Sequence, residues 1–148
     1  MKTGSYDLVV DTYAWIEYFR GTRIGEKVKA FLAEAERIYT PTIVLAEIAR
    51  KYIREGVDIK TIEQRLNIIE ELSTLISVNR EIALRAGKAY LELLEHSEKL
   101  GLKAKPSLGD AIILATARVY KAKVLTGDQH FKGLEATVWI GEYSWREP

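Results

Sequence analysis

Apolar residues along this chain alternate between short unbroken runs and longer stretches in which they recur every three or four positions. Leu8-Val9-Val10 is the first run; it stops at Asp11 and reads as a buried strand, with a helix expected from about Thr12 to Gly21. A second helix is expected from about Ile24 to Ala35. Ile38-Tyr39-Thr40 reads as the next strand, closed by Pro41. Thr42 is then placed to cap a helix carrying Ile43, Val44, Ala46 and Ile48 and ending near Gly56. Asp58 reads as the following N-cap, with Ile62, Leu66 and Ile69 at i, i+4 and i+7 behind it. Leu75-Ile76-Ser77-Val78 is expected to form a third strand. From Asn79, the residues Ile82, Ala86, Ala89, Tyr90, Leu93 and Leu94 trace one helical face, and Gly101 supplies its stop. The basic loop Lys103-Ala104-Lys105-Pro106 precedes a helix opened by Ser107. Lys123-Val124-Leu125-Thr126 and Thr137-Val138-Trp139-Ile140 complete the strands.

Strands without alternation are covered on both faces, and strands that alternate with helices favour a parallel sheet. The pattern therefore predicts an α/β fold, a three-layer α/β/α sandwich, formed as a single domain over residues 1–148. No repeat, low-complexity segment or long linker divides it. The stretch from Arg54 to Leu75 matches no motif. The tail from Gly141 to Pro148 carries two aromatic residues, Tyr143 and Trp145, and is expected to pack on the body, with a partner contact as the alternative.

Composition narrows the setting. Cysteine is absent, which removes disulfides and thiolate metal sites. No apolar run approaches the roughly 20 residues of a membrane helix, and Met1–Ser5 leads toward the first strand without a signal-peptide pattern. A cytoplasmic protein with no membrane partner is expected. Abundant Glu, Lys and Arg beside scarce Asn, Gln and Met is a bias of thermophilic proteins. The net charge of +1 does not announce a nucleic-acid binder, so any such partner has to be argued from a local site.

That site is acidic. Asp11 follows the first strand, and Glu47 sits just over one turn into the helix after the second. Asp110 is in the first turn of the helix opened by Ser107, and Asp128 lies two residues past the fourth strand. In an open parallel sheet these places share one edge, and helical side chains lean toward the N-terminus, which lets Glu47 reach back to it. Each acid has an ordinary alternative: Asp11 as a helix cap, Asp110 as part of a capping box with Ser107, Asp128 as a turn residue after Gly127. Glu47 lies too far into its helix to cap, among the apolar Leu45, Ala46 and Ile48. Three of the chain's five Asp residues occupy such positions, and four like charges in one crevice repel unless a cation joins them. Hard oxygen donors without Cys or clustered His select Mg²⁺ or Mn²⁺ over Zn²⁺, and such a site suits phosphodiester hydrolysis. Helix N-termini around it favour a phosphate. Thr126 and Ser107 are expected to orient a carboxylate or a water.

Four segments carry a resemblance: Val9-Val10-Asp11-Thr12 with Trp15-Ile16-Glu17; Thr42-Ile43-Val44-Leu45-Ala46-Glu47-Ile48; Leu108-Gly109-Asp110-Ala111-Ile112-Ile113-Leu114-Ala115-Thr116-Ala117; and Val124-Leu125-Thr126-Gly127-Asp128 with Phe131. In this order they resemble PIN domains, and more closely the VapC-type toxins of VapBC toxin–antitoxin systems. The resemblance implies a central, mostly parallel five-stranded sheet in the order 3-2-1-4-5, an acidic Mg²⁺ or Mn²⁺ pocket and endoribonuclease activity. It also implies a homodimer and inhibition by a small VapB-like antitoxin whose C-terminal tail covers the pocket. By position Asp11, Glu47 and Asp110 match the family's three principal acids, and Asp128 its more variable fourth.

Other residues are weighed against plain roles. Lys103, Lys105 and Arg20 lie near the acidic edge and are candidates for RNA contact, against a solvated loop or a surface ion pair. Tyr13, Trp15, Tyr18 and Phe19 read mainly as core or dimer contacts. His96 is expected to be exposed, and His130, although close to Asp128, is left outside the site. An aspartyl phosphatase would need an acid two residues past Asp11, where the chain has Tyr13. Two alternatives remain: a PIN-type nuclease of RNA processing or DNA cleavage, and a non-catalytic RNA-binding module, which should have lost an acid.

Overall fold

The computed structural model describes residues 6–142. The expectations for Met1–Ser5 and for Tyr143 and Trp145 of the tail fall outside the described residues. In chain order the elements are β1 (Asp7–Val10), α1 (Thr12–Arg20), α2 (Arg23–Glu34), β2 (Arg37–Pro41), α3 (Thr42–Arg54), α4 (Ile59–Leu72), β3 (Thr74–Ile76), α5 (Arg80–Lys99), α6 (Leu108–Val119), β4 (Lys123–Thr126) and β5 (Thr137–Trp139). A single 3-10 turn, Gln129–Phe131, lies between β4 and β5.

The five strands form one sheet in the order β3-β2-β1-β4-β5, and every pairing is parallel. Leu8, Val9, Val10, Val124 and Leu125 are fully buried, as unalternating strands between two helical layers should be. The chain steps outward from β1 to β3 and then returns to β4 and β5. Because parallel crossovers are right-handed, the outward leg places α1–α4 on one face and the return places α5 and α6 on the other. In keeping with this, α1 packs on α2 and α3, α3 on α4, and α5 along α6. All strands run the same way, so Asp11, Thr42 and Gly127, each just past a strand, share one edge.

Trp15 fixes α1 to that frame. Its ring is fully buried, stacks on Phe19 and meets Tyr18 edge-on. Its indole N–H donates to Thr40 Oγ1 at 3.1 Å, and Thr40 is joined in turn to Ser73 Oγ at 2.8 Å. The stretch without a motif turns out to be α4, which buries Ile62 and Ile69 and lays the Arg65 guanidinium 4.7 Å from the Tyr52 ring centre.

Two local expectations need correction. Thr42 is the first helical residue of α3 and not its cap; Pro41 holds the N-cap position with no side-chain cap bond. The third strand spans Thr74–Ile76, not Leu75–Val78. Among the described residues it pairs only with β2, the last pair being Pro41 with Ile76. Beyond Pro41 the neighbour has become a helix, so Ser77 and Val78 have no ladder to join.

The turn between α1 and α2 depends on close approach. A Cβ added at Gly25 would lie 2.1 Å from the Glu17 carbonyl oxygen, which forces backbone and not merely a side chain to move. Gly25→Ala is expected to cost about 2–3 kcal/mol and to lower Tm by roughly 5–10 °C. A thermal melt that matches wild type would show that α2 shifts freely.

Candidate active site

Asp11 ends β1 and caps α1, its Oδ1 accepting from the Ala14 N–H at 2.9 Å. It is 3% exposed, and the neighbouring Thr126 hydroxyl favours its charged form. The same hydroxyl oxygen accepts from the Asp128 N–H at 2.9 Å, so one buried threonine stands beside both acids. Glu47, one turn into α3, accepts from Thr12 Oγ1 on α1. Asp110 and Ser107 form a reciprocal capping box: Ser107 Oγ accepts from the Asp110 N–H and Asp110 Oδ2 from the Ser107 N–H, both at 3.0 Å. The ordinary reading of that pair is therefore correct, and it coexists with a place in the site.

All four acids line one cleft of about 650 Å³, floored by Ile16 and Ile113. Gly109 explains how Glu47 approaches α6: a Cβ there would lie 2.3 Å from Glu47 Oε2. Burial, acting against the charged form, pushes the Asp11 carboxyl up to about 8. The hydrogen bonds from Thr126 and Ala14 work the other way, and the charges of Asp128 and Asp110 add to the rise. Glu47 is raised chiefly by burial, opposed by Thr12 and reinforced by Asp110. Asp110 is raised by burial as well, opposed by the Ser107 N–H and reinforced by Asp128. Burial and neighbouring carboxylates thus raise Asp11, Glu47 and Asp110 together.

His130, left outside the site on sequence grounds, belongs to it. Its Nδ1 is 3.0 Å from Asp128 Oδ1, its backbone N–H donates to the same oxygen at 2.8 Å, and its Nε2 lies 2.9 Å from the Ala104 carbonyl. Burial disfavours its charge, but the Ala104 carbonyl and the carboxylates of Asp128 and Asp110 outweigh that and raise its pKa. Ligand atoms of Asp110, Asp128 and His130 all fall within 4.8 Å of one another. A carbonyl only accepts, so Nε2 carries a proton and is committed to the 103–106 loop. His130→Ala should free that loop and speed trypsin cutting after Lys103 several-fold; cutting at the wild-type rate would remove the tether.

Lys105 lines the cleft, whereas Lys103 does not. Arg20 lines it too, exposed and 3.4 Å from Glu17. Glu17 of α1 and Glu55 also line the cleft, but Glu17 Oε1 is engaged by the Thr22 hydroxyl and its Oε2 by Arg20, and Glu55 is paired with Lys51. Tyr13 and three basic residues of α3, Arg50, Lys51 and Arg54, also face the cleft. Sequence reading passed over the α3 residues, although their spacing of three, four and seven from Glu47 places them on its face. His96 is not simply exposed: its Nε2 meets the Lys132 carbonyl at 2.6 Å and joins α5 to the segment before β5.

The family model described as PIN domain matches residues 8–136. No curated protein sequence matches the chain. Among solved structures, a toxin–antitoxin complex from Klebsiella pneumoniae is similar at a TM-score of 0.68 and 23% identity, covering 92% of this chain and 99% of the other. VapBC2 from Rickettsia felis, solved with a DNA fragment from its promoter, is similar at 0.64 and 16%, covering 90% and 96%. A VapC toxin of Mycobacterium tuberculosis that cleaves the sarcin–ricin loop is similar at 0.62 and 20%, covering 86% and 95%.

Proposed function

This chain belongs to the PIN domain family, and we propose that it is a divalent-metal-dependent endoribonuclease, the toxin of a toxin–antitoxin pair. One observation carries the reading: four carboxylates from four separate places in the chain line a single cleft, where burial raises Asp11, Glu47 and Asp110 from their ordinary values. Carboxylates whose charge burial and one another oppose are stabilised together by a cation, and the donors on offer are oxygen atoms. Asp11, Glu47, Asp110 and Asp128 are the residues that would hold Mg²⁺ or Mn²⁺. When bound, such an ion supplies charge neutralisation at a scissile phosphate and acidification of the attacking water.

The chain's own residues do the rest. Thr126 orients Asp11 and Asp128, Thr12 orients Glu47, and Ser107 orients Asp110. The exposed cations Lys105 and Arg20 stand at the rim, where a phosphodiester backbone would pass. Ribonuclease action is supported by the matched structure of a sarcin–ricin-loop-cleaving toxin. A small antitoxin partner is supported by the matched toxin–antitoxin complexes. A homodimer in the cytoplasm belongs to the same reading. The exposed Leu84 and Leu91, seven residues apart on α5, offer an apolar ridge for a protein contact. Among the described residues no helix is long and apolar enough to cross a membrane.

The test is cleavage of a mixed RNA pool by the purified chain. Cleavage should require Mn²⁺ or Mg²⁺, stop with EDTA and resume when metal is restored. Cleavage that persists in EDTA would sink the metal site, and cleavage of DNA in preference to RNA would point to the alternative nuclease role.

A further inference from the structure

We propose that the outer half of α3 is a track for the RNA backbone next to the bond that is cut, with Arg50 and Arg54 as its phosphate contacts; this rests on the ribonuclease reading. Glu47, Arg50, Lys51 and Arg54 stand at i, i+3, i+4 and i+7, one face of a helix, and all four line the cleft. The stripe runs from an acid of the site outward to solvent.

The cations along it are not equivalent. Lys51 is paired with Glu55 at 2.8 Å and Arg20, nearby, with Glu17 at 3.4 Å. Arg50 and Arg54 are exposed and form no ion pair among the described residues. Two guanidinium groups, suited to bidentate contact with phosphate oxygens, are therefore left facing a cleft. At 1.5 Å per residue they stand about 4.5 and 10.5 Å beyond Glu47 along the helix axis. At the roughly 3.4 Å rise of a stacked strand, that span corresponds to about three nucleotides.

Basic residues late in a helix also complement its dipole. That role needs no particular face, whereas these two share the face of Glu47. RNA and an acidic peptide meet the same four carboxylates, whose charge a bound cation offsets; RNA is the better occupant because its backbone carries a phosphate at every nucleotide for guanidinium groups spaced along the stripe.

The measurement is fluorescence anisotropy of a labelled 20-nucleotide single-stranded RNA of mixed sequence, across a salt series with Mg²⁺ present. It uses the full chain carrying Asp110→Asn to prevent cutting. Adding Arg50→Ala and Arg54→Ala should raise Kd at least about tenfold at 0.1 M salt. It should also flatten the plot of log affinity against log salt by about 1.4, two phosphates at about 0.7 each for a single strand. Arg50→Lys with Arg54→Lys should keep most of the slope, and Arg85→Ala with Lys88→Ala, on α5, should change neither quantity. An unchanged slope, in a protein whose wild type cleaves RNA with metal, overturns the track, leaves the nuclease standing and gives the stripe to an acidic protein partner. Absence of both binding and wild-type cleavage overturns the two together.

Discussion

Asp110→Asn is expected to lower RNA cleavage by at least about a thousandfold, while the metal-free protein melts at the same temperature or higher. Asparagine keeps the shape of aspartate, and its side-chain oxygen can still accept the Ser107 N–H that Asp110 accepts at 3.0 Å. The Ser107 hydroxyl still accepts from the backbone N–H of residue 110. The cap of α6 therefore survives. What is lost is a charge that burial and Asp128 already oppose, so its removal relieves the folded state. The same charge is one of the four proposed to hold the cation, and losing a group of that kind typically removes several kcal/mol of transition-state stabilisation. Activity and stability then move in opposite directions, which a merely structural residue does not do. Cleavage rates and thermal melts on the same preparations decide the matter. Equal cleavage by both proteins would remove Asp110 from the chemistry. A lost rate accompanied by a Tm drop of many degrees would reduce it to a cap.

The parts of this molecule that were legible in the sequence are those set by local rules. Strand exits, caps and the first turns of helices are read from neighbours a few residues apart, and in a parallel sheet those places converge on one edge. Asp11, Glu47, Asp110 and Asp128 are therefore placed together by their sequence positions alone, and the structure does bring them into one cleft. What stayed hidden depends on contacts across the chain. His130 reaches Ala104, 26 residues away, and His96 reaches Lys132, 36 away; neither loop path is written in a periodicity. The early end of β3 follows from what its neighbour β2 does at Pro41, not from Leu75–Val78 themselves. Gly109 read only as part of a motif, and its reason appears once Glu47 Oε2 is seen against it. The stripe of Arg50 and Arg54 was visible as spacing, but whether that face met solvent or the cleft was a tertiary fact.

Without a divalent ion, the protein is expected to lose thermal stability as pH rises from about 5 to about 8, and to regain it when Mn²⁺ is added at the upper end. The sign follows from where the protons sit. Asp11 has a folded pKa of about 8 against an ordinary carboxylate value near 4 in the unfolded chain. Between those limits the folded state binds the extra proton, so its contribution is complete below the unfolded value and is lost as pH climbs through the folded one. Glu47, Asp110 and His130 are all raised as well, and each pulls in the same direction. Glu55 and Asp58, whose carboxyls are lowered, act only below this window. For Asp11 alone the loss is at most about 5 kcal/mol, enough to lower Tm on the order of 10 °C in a chain of this size. A cation that favours the ionised carboxylates reverses the loss by binding only the folded state. Asp11→Asn should flatten the decline and blunt the response to Mn²⁺, because amide and protonated acid alike carry no charge into the buried site. Melts at pH 5, 6.5 and 8, with and without Mn²⁺, read all of this directly. A metal-free Tm that stays level or rises over that range would mean that Asp11 ionises freely in the folded protein, and with it would fall the claim that this cleft is built to be completed by a cation.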